Sequence, residues 1–210
     1  PCILRKAFKS YHVLEVNNFR VMNYKSYYYD TEDLQMYLNH HNGKRERSKI
    51  RIREYMHTGD KYLEIKNKSN KGFMVKERIP LEGNTRLDIT SKRFIINHSS
   101  YNPDNLKHSL TTHFNRIMLI SLNMKERITL DWNISMHHSE GIKTLYGTGI
   151  AEVKNEELHS PSVFKEILTF FRIHEQSISK YCIGHAFLNR EIKHNNFKPK
   201  TLSINKLENE

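Results

Sequence analysis

The segment spanning residues 48–55 carries a basic side chain at every second position. Successive side chains of a β-strand point to opposite faces, so Lys49, Arg51 and Arg53 share one face and two isoleucines share the other. Three cations on one side of a strand repel one another. This pattern therefore predicts a strand whose basic face meets either solvent or a polyanion.

The same alternation of charged and apolar residues returns along the chain. In one segment Glu64, Lys66 and Lys68 share a face, with Leu63 and Ile65 on the opposite one. One basic strand increases solubility, whereas several charged strand faces favour the wall of a cavity. The other segments of this kind are 75–79, 127–131 and 150–154.

The charge balance favours an anionic partner. The 210 residues include 34 Lys and Arg against 23 Asp and Glu, a net charge of +11. Nucleic acid, a phosphorylated small molecule, polyphosphate and an acidic membrane surface all satisfy this charge, and a basic protein can also lack such a partner.

The composition also indicates a compartment. The two cysteines, Cys2 and Cys182, have no metal-binding spacing and disfavour a disulfide framework. No apolar run reaches membrane-spanning length and no signal-peptide pattern opens the chain. We therefore expect a cytoplasmic protein without a transmembrane segment. Whether it has a membrane-protein partner is left open.

The chain reads as one domain over residues 1–210, without linkers or repeats. Turn signals with Gly, Asn and Asp separate short alternating segments, as in an antiparallel meander. Helices are expected at 3–10, from Thr31 to about Gly43, and at 91–98, 103–113, 161–171 and 180–191. The eight expected strands are 11–16, 20–29, 46–57, 61–69, 73–81, 115–123, 126–137 and 143–154.

These elements predict an α+β fold. An antiparallel sheet of eight strands with charges on one face can close into a barrel, because closure removes the exposed edges. We therefore expect an eight-stranded antiparallel β-barrel, or tunnel, with flanking and C-terminal helices.

Eight motifs, in order, resemble one family. The chain is similar to the VTC domain, the polyphosphate polymerase domain of the vacuolar transporter chaperone complex, in the form of its stand-alone bacterial relatives. The resemblance covers residues 11–207 and places the chain among triphosphate tunnel metalloenzymes of the CYTH-like superfamily. The motifs are YYYDT at 27–31, KIRIREY at 49–55, LEIKNK at 63–68, VKER at 75–78, FNR at 114–116, ERITLD at 126–131, AEVK at 151–154 and SKYCIG at 179–184.

The resemblance implies a function. The reaction of the family is transfer of the γ-phosphoryl group of ATP to a polyphosphate chain inside a basic tunnel. The resemblance implies that Glu152 holds the metal, Mn²⁺ or Mg²⁺. ATP and polyphosphate or triphosphate are the implied partners. The family's first strand should precede the helix ending near Ser10, and we expect it to be missing from residues 1–210. The implied phosphate ligands are Arg51, Arg53, Lys66, Lys76, Arg116, Arg127 and Lys180, of which Arg51, Arg53, Lys66, Lys76 and Lys180 are also the implied catalytic residues.

Phosphoryl transfer depends mainly on positioning and charge neutralisation, which Arg and Lys provide. The same tunnel could hydrolyse triphosphate or polyphosphate, or bind polyphosphate or an inositol phosphate without turnover. A nucleic-acid binder is disfavoured, because its cations and stacking aromatics lie on an outer surface.

Several residues have an alternative role. Glu152 could be an ion-pair partner, and Glu64 is favoured as the counter-charge between Arg51 and Lys66. Asn115 and Asp131 could fix arginines. The paired histidines lack the spacing of a zinc site. The tyrosines at 27–29 are expected to pack in the outer layer of the barrel. The segment 193–200 is expected to be a solvated tail or cap, with guidance of polyphosphate out of the tunnel as the alternative.

Overall fold

Nine strands form one antiparallel sheet in a computed structural model that describes residues 2–155 and 161–209. The strand order is β5-β4-β3-β2-β6-β7-β8, with β1 pairing with the end of β6 and β9 with the first half of β7. The strands are Tyr11–Val13 (β1), Val21–Asp30 (β2), Arg47–Tyr55 (β3), Lys61–Lys68 (β4), Met74–Leu81 (β5), Lys107–Ser121 (β6), Glu126–His138 (β7), Gly141–Leu145 (β8) and Ile150–Asn155 (β9).

Six α-helices accompany the sheet in the described ranges, and none of them is long and apolar enough to cross a membrane. Short 3-10 turns at Pro103–Asn105 and Asn195–Phe197 precede β6 and the last helix. The helices are Cys2–Ala7 (α1), Gln35–His41 (α2), Ile89–His98 (α3), Val163–Phe170 (α4), Lys180–Leu188 (α5) and Lys198–Glu208 (α6).

The α+β class and the large antiparallel sheet are as predicted, whereas closure is not seen. In residues 2–155 and 161–209 no strand ladder joins β5 at one end of the sheet to β8 or β9 at the other. The count of strands is also nine rather than eight. The predicted strand at 143–154 is two strands, because the chain turns at Gly147, whose φ is +64°, and each part pairs with a different half of β7.

The predicted helix at 103–113 was wrong. Only Pro103–Asn105 is helical, and the following residues belong to the 15-residue strand β6. Leu110 and Thr112 are buried on one face of this strand, and Thr112 is β-branched. Long-range pairing with β2 and β7 therefore outweighs the helix signal of Pro103.

The two faces of the sheet differ in chemistry, as the alternation predicted. The outer face carries fully buried isoleucines of β3, including Ile50, which pack with Leu63 and with Ile95 of α3. The inner face carries Arg51, and we use that name for the face on which this side chain lies. Beyond the site described below, the inner face is covered by α5, whose Gly184 lies so close to Leu110 that an added Cβ would be 2.6 Å from its Cδ2.

The C-terminal segment is a cap rather than a solvated tail. Phe197 is buried against Tyr37 of α2, with ring centroids 5.6 Å apart. α6 follows it and packs against α5. The cap therefore fixes the position of the helix that begins at Lys180.

Asp30, at the end of β2, ties α2 and α5 to the sheet. Its buried carboxylate accepts backbone N–H groups of Thr31, Met36 and Tyr37, at 2.8–2.9 Å, and the Tyr181 hydroxyl at 2.5 Å. α2 thus starts four residues later than Thr31 had suggested, after Leu34 in the left-handed region. The helix start is set by a buried carboxylate from the preceding strand.

Replacing Asp30 with Ala should lower the free energy of unfolding by about 3 kcal/mol, because several buried donors lose their acceptor. Urea unfolding measures this loss. Tyr181→Phe, which removes one of these hydrogen bonds, should cost about 1 kcal/mol. Equal stability of Asp30→Ala and the parent protein would contradict this anchoring role.

Candidate phosphate-binding site

The first group of charged side chains on the inner face surrounds Glu64. Strand register places Glu64 opposite Arg51 on one side and Arg78 on the other. Its carboxylate accepts hydrogen bonds from Arg51 Nε and Nη2, at 2.8 and 2.7 Å, and from Lys76 Nζ at 2.5 Å. Glu64 is only 2% exposed. Sequence reasoning identified it correctly as a counter-charge for Arg51, but its second partner is Lys76 rather than Lys66.

The second group surrounds Asp131. Arg116 donates from Nε to Oδ1 at 2.6 Å and from Nη2 to Oδ2 at 2.8 Å, and Lys180 Nζ contacts Oδ2 at 2.5 Å. Lys180 is the first residue of α5, where the side chain of Ser179 caps the helix. Asp131 therefore fixes Arg116, as one reading of the sequence suggested, and also holds the lysine that the sequence placed in the site.

Arg53 lies on the same face with a different environment. It is 8% exposed. Within the described part of the chain its only hydrogen bond runs from Nε to Ser26 Oγ, at 3.4 Å, and no carboxylate forms an ion pair with it. Its guanidinium lies 5.2 Å from the ring centroid of Tyr24 and 5.7 Å from that of Phe114. Burial and the nearby Arg51 lower the pKa of Arg53 to about 10. A buried cation without an anion is costly, so this side chain suits an anionic ligand.

Tyr28 belongs to the site and sequence reasoning missed it. Of the three adjacent tyrosines, this one faces inward, directly opposite Arg51, whose Nη1 donates to the Tyr28 hydroxyl at 3.2 Å. Its ring stacks on Tyr181 with centroids 5.0 Å apart. Burial alone would raise the pKa of Tyr28, but the charges of Arg51, Arg53 and Lys180 lower it. The signal available in the sequence was the two-residue period of β2, which places Tyr28 on the same face as Ser26.

The remaining predicted residues lie farther from these two groups. Lys66 is exposed and sits between Lys49 and Lys76 in the register. Although the residue is exposed, partial desolvation of its ammonium by neighbouring groups lowers the pKa of Lys66, while the charge of Glu152 opposes this shift. Arg127 is exposed on β7, four register positions beyond the pair of Arg116 and Asp131. The described contacts do not bring Arg127 into either ion-paired group.

Glu152 is the carboxylate most open to a further ligand. It is half exposed, lies opposite Thr129 and contacts Lys154 Nζ at 3.3 Å. Although burial opposes it, the charges of Lys154, Arg116 and Lys66 lower the pKa of Glu152, so it is ionised at neutral pH. The ion-pair role and a metal-binding role for Glu152 both remain compatible with this geometry.

The inner face fits a metal that arrives with phosphate rather than one caged by protein. The described residues contain no group of three or more His, Cys, Asp or Glu able to hold a metal ion. Glu64 and Asp131 are already bound to cations. This leaves Glu152 and, beside it, the buried Thr129 Oγ1, which has no hydrogen-bond partner among the described residues. Mg²⁺ and Mn²⁺ accept such a site, because phosphate and water oxygens can complete the coordination.

A comparison with protein-family models decides the family. The model of the VTC domain matches residues 3–189. The chain belongs to the VTC domain family. This family of triphosphate-tunnel proteins is associated with polyphosphate metabolism, and tunnel-fold enzymes generally use divalent metals.

The chain is similar to several solved structures, and the first of the two described here shares the fold of this VTC domain. A "putative adenylate cyclase" from Bacillus halodurans is 18% identical, with a TM-score of 0.53 over 84% of this chain and 87% of that one. A "putative adenylyl cyclase" from Hippeastrum, described as having a dominant triphosphatase activity, is 12% identical, with a TM-score of 0.49 over 88% and 89% of the two chains. No curated protein matches the chain in sequence.

The stability of this VTC domain should depend on the ionisation of Glu64. Burial opposes ionisation, but Arg51, Arg53 and Lys76 together lower the pKa of Glu64 from 4.5 to about 2. A carboxylate with a depressed pKa stabilises the fold above its unfolded pKa and loses this contribution as the pH falls toward its folded pKa. We expect a loss of roughly 2–4 kcal/mol from this group between about pH 5 and pH 2.

Urea unfolding at several pH values in this window measures the effect. Glu64→Gln is the matched control, because it retains the shape of the side chain and removes its titration. The variant should be less stable than the parent at pH 6 and should lose less stability on acidification. Parallel pH profiles for the two proteins would show that Glu64 is not the titrating group.

Proposed function

We propose that this chain is a polyphosphate polymerase, which transfers the γ-phosphoryl group of ATP to the end of a polyphosphate chain in a tunnel lined by its inner face. The observation that carries the proposal is Arg53. It is buried between two groups whose cations already have carboxylate partners, and it lacks one itself in the described residues. A phosphate group would supply the missing negative charge.

The two arginines that already have carboxylate partners, Arg51 and Arg116, would act by holding phosphate oxygens in position. Glu64 holds the guanidinium of Arg51 and Asp131 holds that of Arg116 before any ligand arrives. Arginines fixed in this way can present their remaining N–H groups to phosphate oxygens without reorganisation. Lys66 and Lys180 would add point charges where negative charge develops on the transferring phosphoryl group.

A divalent metal, Mn²⁺ or Mg²⁺, would be held by Glu152 and would neutralise charge on the phosphate oxygens. Lys154 now contacts this carboxylate, so it would have to share or release it. Closure of the tunnel is part of the same proposal, because exclusion of water strengthens each of these interactions.

Transfer to phosphate is favoured over hydrolysis by the state of the carboxylates. Activation of water benefits from a general base whose pKa is near neutrality. Glu64, Asp131 and Glu152 all have lowered pKa values, and all three are ion-paired. The terminal phosphate of a polyphosphate chain is already ionised at neutral pH and needs no such base. The inner face therefore suits an anionic acceptor better than water.

The deciding experiment incubates the protein with ATP and Mn²⁺ or Mg²⁺ and separates the products. Long phosphate chains together with ADP are the expected result. Orthophosphate as the only phosphate product would identify a hydrolase instead. Tight binding of tripolyphosphate without turnover would identify a module that only binds its ligand.

Replacing Arg53 with Met should weaken binding and leave the fold at least as stable. Loss of one charged contact should reduce the affinity for tripolyphosphate roughly tenfold to a hundredfold. The free energy of unfolding should stay the same or rise, because a buried cation without a partner is removed. Calorimetry and urea unfolding measure these two quantities.

Arg51→Met provides the matched comparison. It leaves buried Glu64 with Lys76 as its remaining ion-pair partner, and should therefore lower the free energy of unfolding by about 3 kcal/mol. If Arg53→Met lost as much stability as Arg51→Met, Arg53 would have a structural role, and its assignment to phosphate binding would be withdrawn.

Replacing Glu152 with Gln should abolish metal-dependent turnover while retaining metal-free binding of tripolyphosphate. The substitution removes a negative charge that repels the ligand and that would hold the metal. Turnover, binding and melting temperature are measured on this one variant. A structural role in the pair with Lys154 predicts the reverse pattern, with lower melting temperature and turnover reduced only in proportion. Full turnover would remove Glu152 from the site.

A further inference from the structure

The basic surface of the inner face continues beyond the site toward one end of β3 and β4. Strand register pairs Lys49 with Lys66 and, one step farther on this face, Arg47 with Lys68. Each step of two residues along a strand advances by about 6.6 Å. Arg47 and Lys68 therefore extend the row that begins at Arg53, past the carboxylate of Glu64.

The start of α6 adds a third cation at this end. Lys200 Nζ donates to the backbone carbonyl oxygen of Ser177, in the segment that leads into α5. Two residues later, Ser179 Oγ accepts a hydrogen bond from Lys49 Nζ at 3.0 Å. The segment before α5 thus contacts Lys49 on β3 and Lys200 on α6.

His40 of α2 lies close to this group of cations. The ring centroids of Phe197 and His40 are 5.8 Å apart. The Nζ atom of Lys200 lies 5.9 Å from the centroid of the Phe197 ring. Burial and, after it, the charges of Lys49, Arg47, Lys200 and Lys68 lower the pKa of His40 to about 3. The imidazole is therefore neutral at physiological pH and adds no positive charge to this group.

These cations differ from the arginines of the site in having no counter-charge. In the described ranges no carboxylate forms an ion pair with Arg47, Lys68 or Lys200. Glu46, the neighbour of Arg47, instead accepts a hydrogen bond from Asn70 at 3.2 Å. Cations gathered without anions repel one another, and a polyanion lying along them would relieve that repulsion.

We infer that Arg47, Lys68 and Lys200 form a second anion subsite, joined to the phosphate-binding site through Lys49, that takes the distal part of a linear polyphosphate chain. The inference rests on the proposed function and makes it more specific. A ligand of three phosphates is served by the site around Arg53, whereas only a longer chain reaches these residues. The subsite therefore selects long polyphosphate over triphosphate.

The test compares two ligands on one variant with three substitutions, Arg47→Ala, Lys68→Ala and Lys200→Ala. Calorimetry measures binding of tripolyphosphate and of linear polyphosphate several tens of phosphates long, at fixed ionic strength. Binding of the long chain should weaken roughly tenfold, because three partly exposed charge contacts are lost. Binding of tripolyphosphate should stay within about twofold of the parent protein.

A control variant removes the same charge elsewhere, with Lys9→Ala just after α1, Lys92→Ala on α3 and Lys165→Ala on α4. Its affinity for the long chain should match that of the parent protein. The variant with Gln in place of Arg47, Lys68 and Lys200 keeps polar side chains at these positions, and should reproduce the loss if charge is the cause. Circular dichroism verifies that each variant is folded.

The outcomes separate this inference from the proposed function. Unchanged binding of the long chain by the first variant, or an equal loss in the control, would overturn the subsite while the site around Arg53 stands. An equal loss for both ligands would show that the three residues belong to the triphosphate site and would also overturn it. Failure of the parent protein to bind tripolyphosphate would overturn the proposed function itself.

Discussion

Repulsion among the cations of the inner face is the constraint on which the rest of the structure depends. Two buried carboxylates offset it. Glu64 connects β3 with β5 across β4, through Arg51 and Lys76. Asp131 connects β6 and β7 with α5, through Arg116 and Lys180. Without them, the cations that suit the face to a polyanion would drive its strands apart.

The position of α5 follows from the same requirement. Lys180 reaches Asp131 only if the first turn of α5 lies over the sheet, and the next residue, Tyr181, bonds to Asp30 at the end of β2. Gly184 then allows the helix to approach Leu110 closely. A helix from the C-terminal part of the chain is thereby fixed to a strand from its beginning. The charged side chain that α5 contributes is consequently held by packing as well as by its ion pair.

Alternation along single strands predicted the inner face well, because the two-residue period needs no knowledge of the fold. Arg51, Arg53, Lys66 and Lys76 lie on one face as expected. Side-chain partners on neighbouring strands were harder to predict from the sequence, because the register between the strands decides which residues meet. The sequence predicts Glu64 as the counter-charge of Arg51 and Lys66. Arg51 is its partner, but the second partner is Lys76 on β5 rather than Lys66, two positions away on its own strand. Tyr28 was missed for the same reason, since its role comes from its neighbour on β3.

Errors in the elements have a related cause. Pro103 and the polar residues after it precede β6 and are typical of a helix start. The pairing of β6 with β2 and β7 nevertheless decides the structure of this segment. The single strand predicted at 143–154 includes Gly147 and Gly149, but in the structure the chain turns there, between the end of β8 and the start of β9. Closure of the barrel was expected from the cost of exposed edges. That argument holds for a sheet in isolation, but it does not say which strands meet.

The difference between Arg53 and its paired neighbours links stability to function. Arg51 and Arg116 are held by carboxylates, so the protein itself satisfies part of their charge. Under the proposed function, such residues would orient a phosphate but gain little from it, because the ligand would share them with an existing partner. Arg53 has already lost most of its hydration and has no carboxylate in the described part of the chain, so the full electrostatic gain of pairing is available to a ligand. Under the proposed function, the fold places the cost of an unpaired charge where a phosphate would remove it, between two arginines that carboxylates hold in place.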